Sequence, residues 1–223
     1  MIELHYYPGN ASLAPHILLQ EIGVPFQTVL VDRTQQAHKA PAYLALNPNG
    51  LIPVLRDGAL VLYETVAIGL HLCDTHPDAA LAPALGTAER AHFYKWLVWM
   101  TNTLQATLIH YFYPERMVDE GNAAGAQQIR AHAQARVGGL LDQLDAQLAS
   151  HGHDWLLGAD YSAADAYALM LCRWTRGFDG APATALAPAR CRANLGPYLQ
   201  RVLARPAVQR AFAAEGLMGQ ALV

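Results

Sequence analysis

Apolar and polar positions change their rhythm near residue 80. Before it, short apolar segments alternate with turn residues. Beyond it, long stretches rich in alanine and leucine carry apolar positions three and four apart. Glu3–Tyr7 predicts a strand, with Leu4 and Tyr6 on one face and His5 and Tyr7 on the other. Pro8-Gly9-Asn10 breaks it, and the stripe of Ile17, Leu18 and Ile22 predicts a helix that Gly23 and Pro25 stop. Phe26–Val31 predicts a second strand. This order points to a right-handed crossover and a partly parallel sheet. A polar stretch, 32–39, leads to a short helical piece over Tyr43–Leu46 and to the turn Asn47-Pro48-Asn49-Gly50. Val54-Leu55 and Leu60–Leu62, parted by Asp57-Gly58, predict a hairpin. Glu64 opens a helix to about His76, before Pro77. The first part reads βαβαββα.

Residues 79–86, rich in Ala, Pro and Gly, predict a linker. The expected division is therefore a domain over 1–78, the linker 79–86, and an all-helical domain over 87–223. A long helix is predicted from Thr87 to about Tyr111, with Pro114 marking a break. Another covers about Ala123–Ala149, where Val137, Leu140, Leu141, Leu144 and Leu148 recur at helical spacing. Ser162 and Asp165 have the spacing of a capping box at the start of a further helix. Short helices over Leu195–Ala204 and Ala207–Ala214 finish the pattern.

Composition narrows the classes of function. The 223 residues are 53% hydrophobic and 15% charged, ample for a core and unlike a disordered chain. Fifteen Lys and Arg against eighteen Asp and Glu give a net charge of −3, so nucleic acid is not an expected partner. No apolar run reaches the roughly 18 residues of a membrane span, and no membrane partner is expected. The opening MIELHYYPGN lacks the basic and apolar segments of a signal peptide. Cys73, Cys172 and Cys191 are scattered without a CxxC pair, and read as buried, reduced thiols of a cytoplasmic protein. His151-Gly152-His153 offers two loop histidines without further ligands, so no metal is expected.

Four short motifs then give the layout a likeness. Tyr7-Pro8-Gly9-Asn10-Ala11-Ser12-Leu13-Ala14-Pro15-His16 resembles the first strand–helix turn of the bacterial glutathione S-transferases. Asn47-Pro48-Asn49-Gly50-Leu51-Ile52-Pro53-Val54-Leu55 is similar to that family's Asn-Pro loop, whose proline is cis. Glu64-Thr65 resembles the Glu-Ser pair opening the third helix. Gly158 to Asp165 looks like the Ser-x-x-Asp motif of the helical domain. The resemblance runs along most of the chain. It implies an α/β plus all-α fold: an N-terminal thioredoxin-like βαβαββα domain that binds glutathione and a C-terminal helical-bundle domain that carries the electrophile pocket. It also implies a cytoplasmic homodimer with a role in detoxification, and glutathione as co-substrate without a metal.

The chemistry such an enzyme needs is a thiolate. A free thiol of pKa ~8.5 is mostly protonated at neutral pH, and each unit of lowering takes about 1.36 kcal/mol. A helix N-terminus contributes about 1 kcal/mol, and a hydroxyl donating to the sulfur adds roughly 1.5–3 kcal/mol. The turn from Asn10 to Ala14 can supply both. Where the beta class has a cysteine before the serine, this chain has Ala11. Ser12 with His16 four residues on is similar to the Ser-x-x-x-Arg segment of serine-type members. The resemblance makes Ser12 the thiolate stabiliser and Asn10 a second polar contact, with Ser12 as a plain N-cap the competing reading. Tyr6 stands where tyrosine-type members carry their hydroxyl, and its alternation with Leu4 reads as a packed aromatic.

The remaining glutathione contacts implied are the Ile52 backbone before Pro53, Glu64 and Thr65 for the γ-glutamyl end, and His38 with Lys39 for the glycyl carboxylate. Gln105 stands near where the cysteine class has a further histidine. Trp99, Tyr113 and Arg116 are the expected electrophile pocket, an aromatic slot suiting an apolar substrate. The implied function is conjugation of the glutathione thiolate to an apolar electrophile. The alternatives are a glutathione-dependent thiol–disulfide reductase or peroxidase, or a non-catalytic binding protein of the same fold.

Overall fold

The N-terminal alternation becomes β1 (Ile2–Tyr6), an inner strand of a four-stranded sheet ordered β2-β1-β3-β4, in a computed structural model that describes residues 1–180, 184 and 186–219. β2 (Phe26–Leu30) runs parallel to β1 after the helix α1 (Leu13–Ile22), as the strand–helix–strand order requires. β3 (Val54–Asp57) and β4 (Leu60–Tyr63) form the predicted hairpin, and β3 pairs antiparallel with β1. Between β2 and β3 lie a 3-10 turn, Ala37–Lys39, and the single-turn helix α2 (Pro41–Leu44), which Pro41 opens two residues ahead of the predicted start. α3 (Thr65–Thr75) follows the sheet.

The two faces of β1 meet different helices. Tyr6 stands 6.2 Å, ring to ring, from His16 of α1, and α3 lies against α1 where Gly69 approaches the Leu18 side chain. On the opposite face, His5 meets Tyr43 of α2 at 6.0 Å. Tyr43 belongs to a small core with Val31, Ile52 and Val54.

The chain divides into two units: Met1–Pro83 with the described residues of Leu203–Gln220, and the described residues of Ala84–Val202. The sequence reading grouped 203–219 with the helical domain. Instead α9 (Pro206–Ala214) returns to pack on α1. It buries Ala207, Val208, Ala211 and Phe212, and Arg205 and Arg210 reach Glu21 and Gln20 of α1. A hydrophobic stripe on a short terminal helix does not say which neighbour it covers.

The second unit is helical. α4 (Ala88–Trp99), a π-helical segment over Met100–Gln105, and α5 (Ala106–Phe112) form one continuous run where a single helix was predicted. A 3-10 turn, Pro114–Met117, leads to α6 (Ala123–His151). α7 (Ala163–Trp174) is buried from Ala163 to Arg173, as befits a helix apolar around its circumference, and α8 (Leu195–Leu203) closes the unit. Ser162 and Asp165 form the predicted capping box: Ser162 Oγ accepts from the Ala164 N–H, and Asp165 accepts from the Ser162 N–H at 2.7 Å. Among the described residues no helix is long and apolar enough to cross a membrane.

Candidate functional site

Strand register assembles the site. His5 pairs with Val54 and Val54 with Tyr63, so one residue beyond each ladder brings Tyr6, Pro53 and Glu64 abreast. The Ile52–Pro53 bond is cis, as expected. The Leu51 carbonyl accepts from both the Tyr43 hydroxyl and Asn47 Nδ2, each at 2.8 Å, and Asn47 is buried. Burial raises the Tyr43 phenol above its usual pKa, so it remains a donor. Gly50 has φ +61°, and a Cβ there would stand 3.0 Å from the His38 carbonyl; only glycine fits this turn. Ile52 is thus held from its N-terminal side, while among the described residues nothing pairs with its own N–H or C=O.

Beside this segment runs the turn from β1 into α1. Asn10 N–H donates to the Tyr7 carbonyl at 3.1 Å, and Leu13 N–H to the Asn10 carbonyl at 3.0 Å. Ser12 occupies the N-cap position but has helical φ and ψ of −64° and −18°, and its side chain makes no cap. A capping side chain needs an extended backbone to reach forward. The Ser12 hydroxyl points back instead: it donates to the Tyr7 carbonyl at 3.2 Å and accepts from the Tyr7 N–H at 3.3 Å, and the residue is 0% exposed. Asn10 is half-buried, and its Oδ1 accepts from the Ala11 N–H at 2.6 Å. That bond fixes the amide and leaves Nδ2 on its other side, unpaired among the described residues. Tyr6 is half-buried rather than fully packed.

Glu215, directly after α9, is the residue the sequence reading missed. One carboxylate oxygen lies 2.8 Å from His16 Nδ1 and the other accepts from the Gly9 N–H at 2.8 Å. A carboxylate only accepts, so Nδ1 carries the proton. An acid at a helix C-terminus runs against the helix dipole, and that is the only local signal of its role.

Glu64 adopts φ +75°, ψ 116°, a strained region for a residue with a side chain, at the mouth of α3. Its side chain is exposed and makes no cap at the start of α3. Thr65 is buried and its hydroxyl donates to the Ala11 carbonyl at 3.4 Å, which ties α3 to the β1–α1 turn. Asn10, Ser12, Pro53, Glu64 and Thr65 are therefore brought together. His38, half-buried, and Lys39, exposed, lie one loop away behind Gly50.

In the helical unit, Trp99 is half-buried and packs edge-on against Trp96 at 5.1 Å. Tyr113 ends α5 with the Arg116 guanidinium 4.1 Å above its ring. Gln105 is held by the Tyr167 hydroxyl, which also lies 3.1 Å from Thr101 Oγ1. Cys73 and Cys172 are buried, and burial pushes the Cys172 thiol up to about 12. Cys191 corrects the expectation of buried thiols: it is exposed, since the 3-10 turn Ala189–Cys191 buries only Ala189. Among the described residues no three His, Cys, Asp or Glu side chains are grouped to hold a metal ion.

Residues 11–75 match the family model for the glutathione S-transferase N-terminal domain, and residues 100–206 the model for the C-terminal domain. The chain is 32% identical to glutathione S-transferase GST-4.5 of Xanthomonas campestris pv. campestris over 97% of its own length and 100% of the relative's. It is 30% identical to glutathione S-transferase GstA of Escherichia coli O157:H7, again over 97% and 100%. Among solved structures, a sphingomonad glutathione S-transferase complexed with glutathione superposes with a TM-score of 0.78 at 32% identity, over 96% of this chain and 99% of that one.

Proposed function

The chain belongs to the glutathione S-transferase family and is a glutathione transferase enzyme, and on that premise we propose that it joins the glutathione thiolate to an apolar, aromatic electrophile. The Ile52 backbone carries this reading: an N–H and C=O left unpaired beside a helix N-terminus are what the cysteinyl backbone of a thiol tripeptide requires. The γ-glutamyl end meets Glu64, Thr65 and the first N–H groups of α3. His38 and Lys39 take the glycyl carboxylate. Trp99, Tyr113 and Arg116 of the helical unit are the residues assigned to the electrophile. Two chains pair as a homodimer, supported by Tyr94 and Val98, one turn apart and exposed on one face of α4.

The thiolate is stabilised at the N-terminus of α1, and the protein contributes orientation and a fixed field rather than a covalent intermediate. Asn10 Nδ2 and the Ser12 hydroxyl are its two side-chain donors. They differ in readiness: Ser12 must turn its only O–H away from the Tyr7 carbonyl to reach sulfur, whereas Asn10 Nδ2 needs no such exchange.

The experiment is thiolate absorbance of the glutathione complex against pH for Asn10→Ala, Ser12→Ala and Tyr6→Phe, with conjugation of an aromatic halide followed in parallel. Asn10→Ala is expected to raise the bound thiol's pKa by about one unit, from loss of a charge-assisted hydrogen bond of roughly 1.5 kcal/mol. Ser12→Ala is expected to raise it less, and Tyr6→Phe to leave it in place. A shift in Tyr6→Phe alone overturns the assignment. Glutathione binding without any conjugation overturns the transfer reading.

A further inference from the structure

Gly9 and His16 bracket the turn from β1 into α1, and one carboxylate holds both. Glu215 Oε2 accepts from the Gly9 N–H and Oε1 meets His16 Nδ1, each at 2.8 Å. All three residues lie in the first unit. The His16 ring is fixed independently, edge-on to Tyr6 of β1 at 6.2 Å and to Phe26 of β2 at 5.6 Å. The carboxylate therefore spans from a ring lodged against the sheet to the backbone directly before Asn10.

That backbone is the loose part of the turn. From Asn10 onward the chain is secured by its own neighbours. The Asn10 N–H and the Ser12 hydroxyl both donate to the Tyr7 carbonyl, and the His16 N–H donates to the Ser12 carbonyl. Gly9 has φ +67° and no side chain, so its rotations cost little and the peptide plane before it turns easily. Its N–H is aimed by a residue 206 positions away. A tilt at Gly9 passes directly into Asn10, whose Oδ1 is tied to the Ala11 N–H and whose Nδ2 faces the other way.

We propose that Glu215 is a positioning residue for thiol activation: by clamping Gly9 against His16, it sets the angle at which Asn10 Nδ2 and the first N–H groups of α1 meet the glutathione sulfur. It acts through those donors and not by contact with the sulfur. The role rests on the reading above that places the thiolate at the N-terminus of α1. Charge and position predict opposite signs for its removal. A buried carboxylate near a thiolate repels it, so through charge alone the loss of Glu215 lowers the thiol's pKa. Through position, the loss misdirects the donors and raises it.

The test is thiolate absorbance of the glutathione complex against pH in Glu215→Ala, Glu215→Asp, Glu215→Gln and Arg205→Ala. Glu215→Ala is expected to raise the bound thiol's pKa by about one unit, which is about tenfold less thiolate on the acid side of the titration. Glu215→Asp keeps the charge, falls one methylene short of spanning both donors, and should raise it by less. It decides the matter if Glu215→Ala is too unstable to titrate. Glu215→Gln should hold the pKa at or below the wild-type value. Its Oε1 accepts from Gly9, and its amide N–H donates to His16 Nδ1 once the ring proton sits on Nε2. Arg205→Ala breaks the contact of α9 with Glu21 without touching the turn, and should leave the titration in place. A pKa unmoved or lowered in Glu215→Ala or Glu215→Asp, or raised equally in Glu215→Gln or in Arg205→Ala, overturns the proposal. Conjugation is not needed for this readout. A wild type that lowers the bound thiol's pKa but conjugates nothing sinks the transfer reading alone, and the variants still decide the role of Glu215. A wild-type complex whose thiol titrates as in free glutathione overturns the positioning role as well.

Discussion

Glu215 meets His16 across 199 residues of chain, carboxylate oxygen to imidazole Nδ1 at 2.8 Å, with 0% and 1% of the two side chains exposed. The same carboxylate holds the Gly9 N–H, so one acid braces both the turn before α1 and the first turn of the helix itself. Glu215→Ala removes the acceptor from buried His16 and one acceptor from the half-buried Gly9 N–H. A drop in urea midpoint equivalent to about 1–3 kcal/mol is expected, most of it from His16. Glu215→Gln, which keeps one acceptor, should lose less. Equal midpoints for wild type and Glu215→Ala would refute the brace.

His5 makes stability depend on pH. Burial holds its imidazole below the ordinary histidine range; Arg56 acts in the same direction, Glu3 opposes, and Tyr43 packs on the ring. The unfolded chain therefore binds a proton near pH ~6.5 that the folded chain resists. Stability is full above that pH and declines as the pH falls toward the folded-state value. Urea midpoints at several pH values should fall through this window in wild type and fall less in His5→Leu. Parallel profiles would show that other groups govern the acid limb.

Asp165 gathers four hydrogen bonds in the helical unit. It takes hydrogen bonds from the Leu156 N–H at 2.8 Å, the Ser162 N–H at 2.7 Å, the Ser162 hydroxyl at 3.1 Å and the Tyr198 hydroxyl at 2.9 Å. Burial raises its pKa, and those four donors oppose the rise. Asp165→Ala should cost at least about 3 kcal/mol, because several buried donors lose their acceptor together. Ser162→Ala removes one capping hydroxyl and should cost about 1 kcal/mol. Thermal melts that rank the two in the opposite order would contradict this geometry.

Thiol accessibility separates the cysteines. Cys191 is exposed, whereas Cys73 and Cys172 are buried. A colorimetric disulfide reagent should modify one thiol in the native protein and all three only after denaturation. Rapid native reaction at Cys191→Ser would place a second thiol at the surface.

The sheet was legible because its strands are short, apolar and bounded by Pro-Gly-Asn, Asp57-Gly58 and the Asn47–Gly50 turn, each a local steric instruction. The capping box was legible for the same reason: Ser162 and Asp165 act within one turn. The orientation of Ser12 was not, because serine at a helix start can cap forward or bond backward, and only the backbone angles decide. Glu215 lay beyond local reading altogether, since its partners are set by where α9 docks. The π-helical segment over Met100–Gln105 likewise leaves no mark in residue spacing.

The docking of α9 also sets a schedule. Residues 9–16 leave the ribosome early, but the acid that braces them is 199 residues downstream of His16. At about 5–20 residues per second, that separation is roughly 10–40 s of synthesis. During that interval the sheet, α1 and α3 can gather from nearby chain, with His16 against Tyr6 and Phe26, while its Nδ1 still lacks the carboxylate. A ribosome stalled before codon 215 would therefore display a first unit with its strands in register and its turn unbraced.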